Sequence, residues 1–282
     1  ITLLPAEKGL RGIRYEMPVA SAQVKSALLL AGLQAEGETT VMEPVMSRDH
    51  TERMLELFGV SVRRTDREVT VERAALHAPE RIEVPGDISS AAYWLVAATL
   101  ISGSDLLLKN VGINPTRTGI LDVLKDMGAD IVLLEERLSG CEPVADIRVK
   151  SSALHGVSFG ASLMPRLIDE IPVIAAAALL AKGDTIITGA GELRVKETDR
   201  LHAIAAEYNQ FAPGSVEERP DGLVIHGQSA LRFAAGSSWG DHRIAMALAI
   251  AGAAGDGAEI EEPDCVDISY PNFYQTLDTL RK

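Results

Sequence analysis

The 282-residue chain carries 27 Lys and Arg against 40 Asp and Glu, a formal net charge of −13. This acidity argues against a nucleic-acid or anionic-membrane surface, both of which need a basic face, and an aromatic content of 4% is too low for the stacking platforms that hold single strands. The length predicts roughly two domains of about 150 residues each, and a hydrophobic content of 46% is ample for packed cores.

A unit that recurs about every seventy residues organises the chain. This period is longer than the roughly 20–50 residues of common solenoid repeats, which makes a solenoid the weaker interpretation. Each copy begins with a polar or small residue that leads into an Ala/Leu/Ile-rich helix, and these helices are predicted over 24–32, 93–100, 171–181 and 244–251. They are apolar almost all round, which predicts that they are buried. The first three end near Gly37, Gly103 and Gly183, as helix C-termini prefer.

A β-like run and a second amphipathic helix complete each unit. The strands are predicted over 38–42, 105–109, 184–188 and 258–260, and the helices over 51–58, 119–127, 198–207 and 270–280. Further strands are expected at 69–72, 146–149 and 223–226, and a loop at 141–145. Asp87 is a candidate N-cap for the second helix, and a domain boundary is expected near residue 83, which divides the chain into 1–83 and 84–282.

Polar groups at the helix starts are the candidates for chemistry. The run from Arg194 to Arg200 is either a solvated charged face or, after the turn Gly189-Ala190-Gly191, an anion site. Asp241-His242-Arg243 is either a capped helix start or an Arg aimed at a phosphate or carboxylate. Ser21 is an N-cap candidate, and Asp169 is either an N-cap or a general base beside an apolar segment. If the units are related by rotation, these starts converge on one cleft.

Other kinds of site have no support in the sequence. The six histidines show no metal-ligand spacing, and neither GxGxxG nor a P-loop occurs. The two cysteines, Cys141 and Cys265, form no disulfide framework, which favours a reduced, cytoplasmic setting.

Five ordered motifs carry a family resemblance. They are SAQVKSALLLAG at 21–32, SRDHTE at 47–52, NPTRTG at 114–119, RVKETDR at 194–200 and DHRIAM at 241–246. Together they resemble the 5-enolpyruvylshikimate-3-phosphate synthases (3-phosphoshikimate 1-carboxyvinyltransferases), nearer to the bacterial class II branch than to the enteric one. The resemblance extends over essentially the whole sequence.

The resemblance implies a fold and a reaction. The fold is α/β, with repeated βαβαββ units in two domains (the enolpyruvyl transferase fold, an inside-out α/β barrel) and ligands in the cleft between them. Residues 1–83 would be the later part of the shikimate-3-phosphate-side domain, and 84–282 the domain carrying the base and the phosphoenolpyruvate clamp. The enolpyruvyl group of phosphoenolpyruvate would pass to the 5-hydroxyl of shikimate 3-phosphate with release of phosphate, without metal or organic cofactor. The protein is expected to be a cytoplasmic monomer without nucleic-acid or membrane partners.

Residue roles follow from the same resemblance. The residues that would bind shikimate 3-phosphate are Ser21, Ala22, Gln23 and Ser47, with Gln23 also near phosphoenolpyruvate. Asp169 would accept the 5-hydroxyl proton, Lys196 would bridge that hydroxyl and the transition state, and Glu197 would transfer a proton at the methylene carbon. Arg200 and Arg243 would clamp phosphoenolpyruvate with His242 beside them. Together these residues are the predicted binding and catalytic residues for shikimate 3-phosphate and phosphoenolpyruvate.

The sequence departs from the family pattern in three places. The family's C-terminal lysine falls at Ile268, the stretch 208–220 lacks the usual Gly-Ala pattern, and the family's N-terminal third, with several phosphate contacts, has no counterpart. We therefore expect this chain by itself to be inactive. The alternatives are a UDP-N-acetylglucosamine enolpyruvyl transferase, which shares the fold, and a non-catalytic fragment.

Overall fold

The repeated unit of the sequence is present in the fold. The computed structural model describes Thr2 and residues 9–280. The first copy runs β1 (Arg14–Glu16), α1 (Ala22–Gly32), β2 (Thr39–Met42), α2 (His50–Leu57), β3 (Arg63–Arg64) and β4 (Glu68–Val71). Its sheet has the order β1-β2-β4-β3, in which β1 is parallel to β2 and β4 is antiparallel to both β2 and β3.

Later copies repeat this pattern. The second contains α3 (Ile88–Leu100), β5 (Asp105–Gly112), α4 (Gly119–Asp126), β6 (Asp130–Ser139) and β7 (Glu142–Lys150). The third contains β8 (Ser158–Phe159), α5 (Ile171–Leu179), β9 (Asp184–Ile187), α6 (Arg200–Phe211), β10 (Val216–Arg219) and β11 (Gly222–His226). The fourth contains β12 (Ala234–Ser237), α7 (His242–Ala254), β13 (Ala258–Glu261) and α8 (Phe273–Leu280).

Strand pairing shows that the first and third copies share one arrangement, and that the second and fourth contain part of it. The third copy has the sheet order β8-β9-β11-β10, with β8 parallel to β9 and β11 antiparallel to both neighbours, which is the arrangement of the first copy. The second has the order β5-β7-β6 and a parallel bridge from Gly86 to Val111 in the place of a first strand. In the fourth, β12 pairs with β13 in parallel. The predicted α/β fold of repeated βαβαββ units is confirmed.

Glycines allow the first helix of each of the first three copies to turn into the next strand. Gly37, Gly103 and Gly183 adopt φ values of +85°, +81° and +91°. This left-handed region is strained for residues with a Cβ, so the prediction of glycine at these helix ends has a conformational reason.

The described residues divide into two compact units, each larger than one copy of the repeat. The first runs to Pro85 and includes Asn114–Thr116 and Arg137–Val144, and the second comprises Gly86–Ile113, Arg117–Glu136 and the chain from Ala145 onward. The loop predicted at 141–145 is wrong, because β7 begins at Glu142.

Each unit has its own hydrophobic core. In the first, side chains such as Leu29, Val41 and Leu55 pack together. In the second, α3, α5 and α7 pack on one another and are buried along most of their length. No helix in the described part of the chain is both long and apolar enough to cross a membrane.

The prediction that all four apolar helices are buried is wrong for α1. Leu29 is fully enclosed, but Val24 and Leu30 are 43% and 48% exposed. In the first unit α1 packs against one sheet, whereas each long helix of the second unit packs against two others.

Candidate active site

The second unit gathers several predicted residues around the guanidinium of Arg200. The Arg200 side chain is 1% exposed, and it donates from Nε to Asp241 Oδ2 over 2.7 Å and from Nη2 to Glu197 Oε2 over 2.6 Å. Its Nη1 lies 3.4 Å from Asp169 Oδ1. Three carboxylates from three segments of the chain therefore meet one buried cation.

Asp241 has two functions in this arrangement. Its side chain accepts from the backbone N–H of Arg243 over 2.8 Å, as the N-cap of α7, and also accepts from Arg200. The capping interpretation of this helix start is therefore correct, and the same carboxylate also belongs to the charged cluster.

Asp169 does not cap the helix that follows it. It lies in a 3₁₀ turn, and the N-cap position of α5 belongs to Glu170. The Asp169 side chain is 16% exposed, with Arg200 on one side and Arg243 Nη2 at 3.9 Å. The Asp169 carboxylate is therefore accessible to a ligand, and the guanidiniums beside it can bind anionic groups of that ligand.

Arg243 is held much more loosely than Arg200. Its Nη1 donates to the backbone oxygen of Asp169 over 3.3 Å, and its charged contacts, to Asp169 and Glu170, are 3.9 and 4.0 Å long. With its side chain 18% exposed, Arg243 keeps donors that a phosphate or carboxylate can bind bidentately.

His242 stands beside Arg243 at the start of α7. Its Nδ1 is buried and has no hydrogen-bond partner among the described residues. Burial lowers the pKa of His242, and the charges of Arg243 and Arg200 add to this shift. Near neutral pH the imidazole is therefore uncharged.

Lys196 and Glu197 lie on a loop between a 3₁₀ turn (Gly191–Val195) and α6. Lys196 Nζ pairs with Glu192 over 2.7 Å, the i,i+4 contact typical of a charged surface. Glu197 is half exposed and pairs with Arg200 through one oxygen.

Arg194 holds this loop against the hairpin of β10 and β11. Its guanidinium donates to the carbonyls of Arg219 and Pro220 over 2.7 and 2.8 Å, and to Asp199, the N-cap of α6. The segment that departs from the family pattern therefore anchors the charged loop.

The first unit holds the other predicted residues. Ser21 caps α1 by accepting from the N–H of Val24 over 3.3 Å, Ala22 opens the helix, and Gln23 is exposed. Ser47 is buried, and both its hydroxyl and its N–H donate to Glu43 Oε1. A hydroxyl has one proton, so a hydrogen bond from Ser47 to a phosphate requires that proton to turn away from Glu43.

Lys25 connects these two segments of the first unit. The side chain is fully buried, and its Nζ lies 2.9 Å from Glu43 and 2.7 Å from Glu52. Sequence reasoning missed this contact. The available signal was a lysine inside a helix rich in apolar residues, since a buried ammonium needs a charged partner.

The described residues include the two cysteines and possible metal ligands. Cys141 and Cys265 are unpaired thiols whose pKa values are raised by burial, the opposite of an activated nucleophile. Within the described residues no group of His, Cys, Asp and Glu is arranged to hold a metal ion.

Comparison with known proteins identifies the family. Residues 2–277 match the family described as EPSP synthase (3-phosphoshikimate 1-carboxyvinyltransferase). The chain is 55% identical over 273 residues to the 3-phosphoshikimate 1-carboxyvinyltransferase of Desulforudis audaxviator, covering 96% of this chain and 63% of that protein. It is 56% identical over 272 residues to the enzyme of the same name from Synechocystis sp., covering 95% and 60%.

Solved structures agree with the sequence matches. An EPSP synthase structure from Acinetobacter baumannii superposes with a TM-score of 0.89 at 42% identity, over 96% of this chain and 63% of that one. The chain thus spans less than two thirds of the length of these relatives. The chain belongs to the EPSP synthase family.

Proposed function

We propose that this protein transfers the enolpyruvyl group of phosphoenolpyruvate to the 5-hydroxyl of shikimate 3-phosphate and releases phosphate. Family membership supports this reaction. The observation that carries it is the cluster of Asp169, Glu197, Arg200 and Arg243, which combines two carboxylates with two guanidiniums.

The chemistry requires three proton transfers and charge stabilisation. The 5-hydroxyl loses its proton as its oxygen bonds to the enol carbon, and the methylene carbon gains a proton to become a methyl group. The methyl group then gives up a proton as the carbon–oxygen bond to phosphate breaks, which restores the double bond of the enolpyruvyl group. In this proposal Asp169 takes the hydroxyl proton and Glu197 serves the methylene carbon, with His242 as a neutral neighbour. Two carboxylates can divide these duties because their surroundings differ, one lying between two cations and the other half exposed.

Arg243 and Lys196 are the cations we assign to the reacting anions. The contacts of Arg243 are long, which leaves its N–H groups available to donate to an anion. In this proposal Lys196 exchanges its surface partner Glu192 for substrate. Arg200 belongs to the same clamp, and we assign it the further task of holding Asp169 and Glu197 in place. Preorganised donors of this kind stabilise a developing negative charge.

The first-unit residues Ser21, Ala22, Gln23 and Ser47 are proposed contacts of shikimate 3-phosphate. The supporting observation is that Lys25 and Glu43 link the start of α1 to the segment bearing Ser47. The protein is further proposed to act in the cytoplasm as a monomer, and the two unpaired cysteines fit a reducing compartment.

Calorimetry on this chain tests the proposal. We expect saturable heat with shikimate 3-phosphate, and binding of phosphoenolpyruvate that Arg243→Met weakens at least tenfold through loss of a charge-assisted bidentate contact. Saturable heat with UDP-N-acetylglucosamine instead would assign the chain to the sister reaction. No saturable heat with either shikimate 3-phosphate or UDP-N-acetylglucosamine would contradict substrate binding by this chain.

Asp169→Asn separates binding from chemistry. If Asp169 is the base, this variant binds both ligands as the unchanged chain does but releases phosphate at least 100-fold more slowly in any preparation that turns over. Equal turnover in the two proteins would refute the base assignment.

A further inference from the structure

Glu170 carries a buried carboxyl that the proposed reaction does not use. The residue is 1% exposed, and its Oε1 accepts a short hydrogen bond from the hydroxyl of Ser89 in α3. Its Oε2 is enclosed and has no hydrogen-bond partner among the described residues. An ionised oxygen in that position would be desolvated without compensation.

The direction of the hydrogen bonds around Ser89 is fixed by chemistry. Arg117 Nη2 lies 2.7 Å from Ser89 Oγ and 2.9 Å from Asp87 Oδ1. A guanidinium only donates, so the Ser89 oxygen accepts from Arg117 and its single proton goes to Glu170. Glu170 Oε1 is therefore an acceptor whichever charge the carboxyl carries.

Charged groups face Glu170 from several elements. Arg243 of α7 comes no closer than 4.0 Å to Oε1, beyond hydrogen-bond distance, while Asp169 is its neighbour in sequence. Burial raises the pKa of Glu170 and Asp169 acts in the same direction, against the opposing effects of Ser89, Arg243 and Arg117. Tyr93 of α3 also faces this carboxyl and Arg243, and Asp87 lies on the far side of Arg117.

We infer that Glu170 is a positioning residue that works uncharged: it holds the Ser89 hydroxyl and the start of α5 together and adds no negative charge beside Arg243. An anion bound at Arg243 then meets attraction from the guanidinium without repulsion from Glu170. The effect on an anion bound at Arg243 rests on the proposed function, whereas the inferred charge of Glu170 does not.

The pH dependence of stability tests the charge directly. If folding keeps Glu170 protonated above the ordinary carboxyl pKa of 4.5, unfolding releases a proton, so the folded chain loses stability as pH rises from that value toward the raised pKa. Glu170→Gln keeps the acceptor for Ser89 and removes the titration. We therefore expect the unfolding free energy of Glu170→Gln, relative to that of the unchanged chain, to rise with pH. The limiting slope of this difference against pH should correspond to about one proton.

The experiment has a matched control variant and an outcome that would contradict the inference. Glu259→Gln changes an exposed glutamate of β13 and is expected to show no such slope. If Glu170 is instead an ionised partner of Arg243, its pKa is lowered and the unchanged chain gains stability relative to Glu170→Gln as pH rises. That sign overturns the inference.

Infrared spectroscopy reads the charge of the carboxyl without an unfolding measurement. At neutral pH the unchanged chain should show the C=O stretching band of a protonated carboxyl, and Glu170→Gln should lack it. Absence of the band from the unchanged chain at neutral pH would overturn the inference.

Calorimetry with phosphoenolpyruvate separates the two proposals. Glu170→Gln is expected to bind as the unchanged chain does, whereas Glu170→Ala, which leaves Ser89 without its acceptor, should bind about tenfold more weakly. Equal weakening in both variants would contradict the uncharged positioning role. If the unchanged chain shows no binding, the proposed function fails, while the pH slope and the infrared band still decide the charge of Glu170.

Discussion

Arg200 and Arg243 carry the same guanidinium group but have different surroundings. Arg200 is enclosed and makes short hydrogen bonds to Asp241 and Glu197, while Arg243 is partly exposed and makes only long contacts. A buried cation with short carboxylate bonds contributes to stability, because removing it leaves desolvated charges behind. A loosely held cation is available to an anion.

Paired substitutions separate these two functions. Arg200→Met should lower the free energy of unfolding by about 3–5 kcal/mol, because Asp241 becomes an uncompensated buried charge. Arg243→Met, which loses one long hydrogen bond to a carbonyl, should cost about 1 kcal/mol. Urea denaturation of the two variants checks this, and equal losses would show that Arg243 is as structural as Arg200.

The residue scale also shows the limit of motif reading. Ser21, Asp87, Asp199 and Asp241 all cap helices as residues of their type commonly do. Whether such a residue also takes part in a site depends on what its remaining oxygen contacts. For Asp241 that contact is Arg200, 41 positions earlier in the chain, and no local pattern reveals it.

At the scale of elements, α1 differs from α3, α5 and α7 although all four are rich in Ala and Leu. The three helices of the second unit pack on one another, and their apolar residues are enclosed on all sides. In the first unit α1 is covered on one side, so its composition predicted more burial than this chain provides. Hydrophobic content measures how much surface can be buried, and the number of packing partners decides how much is buried.

Two adjacent leucines of α1 make a matched test. Leu29→Ala should cost about 2–5 kcal/mol of unfolding free energy, because it leaves a cavity in the core of the first unit. Leu30→Ala, at a position 48% exposed, should change stability by less than about 0.5 kcal/mol. Chemical denaturation followed by circular dichroism measures both, and a large loss in the Leu30 variant would show that this face of α1 is covered in solution.

For the whole molecule, the separate cores predict how unfolding proceeds. Leu29, Val41 and Leu55 belong to the core of the first unit, and the helices α3, α5 and α7 form that of the second. The only two tryptophans of the chain, Trp94 and Trp239, lie in the second unit. Tryptophan fluorescence therefore reports on the second unit alone.

This placement allows a test of independence. Val41→Ala should lower the stability of the first unit by about 2 kcal/mol, shifting the transition seen by circular dichroism and leaving the fluorescence transition unchanged. Ile174→Ala, in the middle of α5, should shift the fluorescence transition instead. If Val41→Ala moves both transitions equally, the two units unfold as one.

The sequence by itself determined the repeat, the order of helices and strands within it, the glycines at the helix ends and the residues placed at the helix starts. These features depend on local physics, namely the period of the apolar positions, backbone conformations open to glycine, and capping within one turn. It also predicted the family, through five motifs in order.

Only the tertiary structure decided which of those polar groups meet. The contacts of Asp169 and Asp241 with Arg200, the long contacts of Arg243, the burial of Glu170 behind Ser89 and the pairing of Lys25 with two glutamates all join residues that are distant in the chain. Charge state and availability depend on burial and on these distant partners, and both are set by how the elements pack.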